Sequence, residues 1–65
     1  MFPNTYHDLL HQLSEVLDSL WRMREYKENA EKEGRPEIKE FWEKIEKMLQ
    51  QEVEMLKEQL EKLIK

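Results

Sequence analysis

Hydrophobic residues recur along the first half of the chain in alternating steps of three and four: Tyr6, Leu9, Leu13, Val16, Leu20 and Met23. That spacing keeps them on one side of an α-helix and matches a heptad seam. Leu10 and Leu17 widen the seam on one flank, Arg24 and Lys27 interrupt it, and Ala30 closes it. The pattern predicts a helix over residues 5–33, opened by Thr5 with Asp8 three residues later as an approximate capping box.

The second half repeats the theme more strongly. Ile38, Trp42, Ile45, Leu49, Val53, Leu56, Leu60 and Leu63 form one stripe over residues 36–64. Its Ile45–Leu49–Val53 segment steps by four and four, a stutter that straightens any supercoil. Phe41, Met48 and Met55 form a second row beside the first, repeating every heptad. At about 100° per residue the two rows span roughly half the helix circumference. One partner helix covers a narrow seam, whereas half a circumference needs two neighbours.

Between the two patterns stands Glu33-Gly34-Arg35-Pro36, which holds the only glycine of the chain. Glycine just past one helix and proline at the first position of the next form a stop-start signal. A turn of residues 34–35 forces the helices to lie antiparallel, so residues 1–65 read as a single all-α two-helix hairpin. The width of the second stripe predicts that two hairpins pair into a four-helix bundle. The expected oligomer interface is Phe41, Ile45, Met48, Glu52 and Met55.

Composition narrows the remaining choices. A chain of 65 residues without cysteine has no disulfide to compensate for its small core, which leaves association as the source of extra burial. The charged fraction is 40% and the net charge is -4, which argue against a membrane span and against nucleic acid as partner. Met1-Phe2-Pro3-Asn4 does not read as a signal peptide, so the expected location is cytoplasmic. A second half rich in Glu and Lys suits a thermophilic protein or a designed one.

Candidate chemistry is sparse. His7 and His11 stand one turn apart, a spacing that lets two imidazoles share a metal ion, with Glu15 one turn further on. Glu52 falls inside the apolar arc of the second helix, where a carboxylate calls for a polar partner such as Gln59, an ion pair, or a metal. Lys27 is expected level with Trp42, close enough for its stem to lie on the ring. Tyr6, Trp21 and Tyr26 border the first seam. Ser14 and Ser19 lack a base of the kind nucleophilic catalysis needs, and no glycine-rich phosphate loop is present. The chain is therefore expected to be non-enzymatic, with no cofactor and no small-molecule substrate.

The stretch YKENAEKEGRPEIKEFWEKIEKMLQQEVEML, Tyr26 to Leu56, resembles the helix-turn-helix half of ferritin-like and rubrerythrin-like proteins. The shared features are the Ala-Glu-x-x-Gly turn, the Pro-Glu-Ile helix start and the Phe-containing helix that follows. The resemblance implies a half-bundle that dimerises. The iron ligands of that family do not carry over: Leu49 and Glu52 stand where its second-helix Glu and His would be, and Ser19 where its first-helix Glu would be. Three functional readings follow. The first is a self-associating structural hairpin. The second is a metal-binding module derived from a ferritin-like half, and the third is an adaptor that accepts a partner helix in an apolar groove.

Overall fold

A computed structural model describes residues 3–64 as an all-α hairpin: α1 runs Pro3–Lys32 and α2 runs Pro36–Ile64. Met1, Phe2 and Lys65 lie outside the described residues, so the reading of the extreme N-terminus is not addressed. None of the described helices is long and apolar enough to cross a membrane.

The start of α1 departs from expectation. Thr5 and Asp8 both lie within the helix, so Thr5 does not cap it. Pro3 holds the first described helical position, where a residue without an N–H costs no hydrogen bond.

The end of α1 follows the glycine. Gly34 has φ +68°, in the left-handed region that is open to glycine at little cost. Its N–H donates to the Glu31 carbonyl at 3.1 Å, and the Arg35 N–H reaches back to the Ala30 carbonyl at 2.9 Å. This nested pair is the Schellman closure, which satisfies carbonyls that the helix end would otherwise leave bare. α1 ends at Lys32, one residue before the expected Glu33, and the Glu33 N–H still donates to the Asn29 carbonyl at 3.0 Å. Pro36 then opens α2, with Glu37 in its first turn favourably placed against the helix dipole.

Packing between the helices is thin. Among the described residues the buried hydrophobic ones are Val16, Met23 and Ala30, one per heptad along α1. Their row points straight at α2. No described residue of α2 is fully buried. Its stripe from Trp42 to Leu63 is half-covered, because a single neighbour cannot reach across so wide an arc. The radius of gyration is 15.1 Å, against about 11 Å for a compact chain of this length.

Candidate functional site

Cross-helix contacts define two broad faces. Advancing about 100° per residue, α1 carries Gln12, Ser19 and Tyr26 on one flank of its seam and Leu10, Leu17 and Trp21 on the other. The same construction on α2 puts Phe41, Met48, Met55 and Glu52 on one flank and Lys39 and Glu46 on the other. The contacts show which flanks meet. Gln12 Nε2 donates to Glu52 Oε2 at 2.8 Å, and the Tyr26 ring lies 4.9 Å from that of Trp42, which in turn meets Phe41 edge-on at 5.1 Å. On the opposite side Lys27 Nζ donates to both Glu46 oxygens, at 3.0 and 3.2 Å, and Lys39 pairs with Glu31 at 3.5 Å.

The first of these, the Met48 face, contains every residue expected at an interface. Phe41, Met48 and Met55 are 49, 61 and 66% exposed. Ile45 and Glu52 are half-buried along the inner edge of that row. The row forms because α2 has seven-residue repeats on the flank of its seam, so side chains that α1 cannot reach line up along the helix.

The second, the Trp21 face, is more divided. Leu10 and Leu17 are about half exposed, and Trp21 is exposed at 77% with the Arg24 guanidinium 6.0 Å from its ring centroid. Toward the turn this face becomes ionic, through Lys27–Glu46 and Lys39–Glu31. Lys27 and Glu46 are each about three-quarters buried. The Lys27 ammonium is taken up by this ion pair, and the α1 ring that packs against Trp42 is that of Tyr26.

Glu52 does have a polar partner, but it is Gln12 rather than Gln59. Gln12 was not identified from sequence, because a bond spanning 40 residues depends on the axial register of the two helices. The seven-residue spacing of Gln12, Ser19 and Tyr26 was the one available signal that these residues share a flank.

The candidate metal ligands are not brought together. His7 and His11 stack with ring centroids 6.1 Å apart, and His11 Nε2 lies 3.8 Å from Glu15 Oε1. Both histidines are exposed on the side of α1 away from its seam, while Glu52 is held on α2 by Gln12. Among the described residues no three His, Cys, Asp or Glu side chains are grouped to hold a metal ion. Ser19 is half-buried and its Oγ accepts a bond from Arg22 Nη2 at 3.0 Å. A depression of about 210 Å³ beside the turn is lined by Tyr26, Ile38 and Trp42 together with the polar Asn29, Glu33 and Arg35. It has aromatic walls and no nucleophile–base pair. What the surface offers is apolar area in rows, which is chemistry for association. No family model matches the chain, and no curated protein and no solved structure matches it.

Proposed function

We propose that the chain is a non-enzymatic structural protein that acts by self-association, two hairpins pairing through their Met48 faces into a four-helix bundle. The observation that carries this reading is the row of Phe41, Met48 and Met55, half to two-thirds exposed in a hairpin whose described core holds three buried hydrophobic residues.

The magnitudes point the same way. The hairpin exposes 5454 Å² for a mass of 8.1 kDa, whereas a compact monomer of that mass exposes about 4,500 Å². The excess, about 1,000 Å², is close to the roughly 800 Å² per partner that a stable interface removes from water. Complete burial of a Phe or Met side chain is worth about 1.5–3 kcal/mol, so covering the exposed part of three such residues on each of two copies is a substantial gain. It is comparable to the whole stability of a small domain.

The choice of face follows from charge. Covering the Trp21 face would desolvate the Lys27–Glu46 and Lys39–Glu31 pairs, whose mutual attraction seldom offsets that loss. On the Met48 face the polar contact between the helices is the Gln12–Glu52 bond, which carries one charge.

Sedimentation of wild type beside Met48→Glu tests the reading. The expected result is a dimer for the wild type and a monomer for the variant at the same micromolar concentration. A wild-type monomer that unfolds cooperatively would refute it.

A further inference from the structure

The Met48 face is symmetric about its middle, and that symmetry specifies how a second copy sits on it. The register set by Gln12–Glu52 and Tyr26–Trp42 places Gln12 roughly level with Met55, Ser19 with Met48, and Tyr26 with Phe41. Successive rungs are about 10.5 Å apart, seven residues at 1.5 Å each. The outer rungs are equidistant from the Ser19–Met48 rung.

We propose that two copies mate with their turns at opposite ends, a two-fold axis crossing the Ser19–Met48 rung. This rests on the dimer reading above and names its geometry. A two-fold axis lying in the interface across the helices sets α2 against α2 and α1 against α1. Phe41 then meets the partner's Met55, and Met48 meets the partner's Met48, so the apolar row is covered by an apolar row. Thioether against ring is a favourable pairing in its own right. The polar flank of α1 also meets its own kind: Tyr26 faces the partner's Gln12, and Ser19, its Oγ held by the Arg22 guanidinium at 3.0 Å, meets the partner's Ser19 at the axis.

The other face-to-face two-fold runs along the helices, with both turns at one end. It sets α2 against the partner's α1. Met55 would then cover Gln12 and Met48 would cover Ser19, burying an amide and a hydroxyl against thioethers. Burying polar groups without new partners is costly. The segregated arrangement avoids that cost, so it is the one the face favours.

The chain has no native thiol, so single cysteine variants report the geometry directly. Each variant is first sedimented to establish that it is dimeric, and then oxidised mildly. Met48→Cys should form a disulfide-linked dimer. An equimolar mixture of Phe41→Cys and Met55→Cys should cross-link to each other faster than either variant does to itself. Both reactions should run roughly a thousandfold faster than that of Lys57→Cys, because mated thiols face each other at millimolar rather than micromolar effective concentration.

Should a cysteine weaken the dimer, a charge exchange reads the same contact. Phe41→Lys and Met55→Glu should each lower dimer affinity, and the chain carrying both should regain much of it. Within one hairpin the two sites are about 21 Å apart along α2, too far to pair with each other. A dimer in which Phe41→Cys links to Tyr26→Cys faster than to Met55→Cys, or in which the double charge variant recovers nothing, overturns the inference and leaves the dimer standing. A wild-type monomer in sedimentation overturns both.

Discussion

Replacing Gly34 tests the turn that aligns the two helices, and its cost can be worked out from backbone geometry alone. Gly34 sits at φ +68°, and a Cβ built on it would meet no atom within 4 Å. Gly34→Ala therefore introduces no clash. What it introduces is the left-handed backbone penalty of an L-residue, about 1–2 kcal/mol. For a domain of this size each kcal/mol shifts the melting temperature by about 4–8 °C, so the expected fall is about 4–16 °C. Gly34→Asn should lose less, since asparagine tolerates this conformation better. A synthetic chain with D-alanine at this position should gain about 0.4–1 kcal/mol, because the residue fits the native φ while restricting the unfolded chain. The assay is thermal unfolding followed by far-ultraviolet circular dichroism, with all variants at one protein concentration so that any dimer contributes equally. An L-alanine variant that melts with the wild type, or a D-alanine variant that melts below it, would refute the assigned turn geometry.

Other substitutions separate the faces and the polar contacts. Met48→Glu should weaken self-association by about 2–4 kcal/mol per dimer from lost burial of two side chains alone, while Trp21→Glu should leave the sedimentation of the dimer unchanged. In the proposed dimer Glu52→Leu alone leaves the covered Gln12 amide without its partner, whereas Gln12→Leu with Glu52→Leu replaces both partners by apolar groups. The double variant should melt above the single one by thermal denaturation, and equal melting would show that the bond is immaterial. A double-mutant cycle on Lys27 and Glu46 should return a coupling of about 0.5–1 kcal/mol by denaturant unfolding, the upper part of the range for pairs still in contact with water. His11→Ala should leave the melting temperature unchanged in the absence of metal, since both histidine rings are exposed and touch only the surface of α1.

What could be read from the sequence was local, and what could not depends on register. Gly34 and Pro36 announce the turn because their backbone restrictions act within two or three residues. The Phe41–Met48–Met55 row was legible because helical periodicity alone places it on a flank. The partners of Glu52 and Lys27 were not, since Gln12 and Glu46 reach them across the hairpin, and a shift of one helical turn would exchange them. Burial was legible as a stripe but not in its distribution. Val16, Met23 and Ala30 are enclosed because their row points straight at α2. The wider arc of α2 spreads the same contact over more residues and encloses none completely.

Sedimentation velocity of the wild-type chain across the micromolar range tests the central claim most directly. The account predicts one species at twice the 8.1 kDa chain mass, giving way to monomer on dilution and abolished by Met48→Glu. A single 8.1 kDa species at every concentration, unfolding cooperatively, would contradict it.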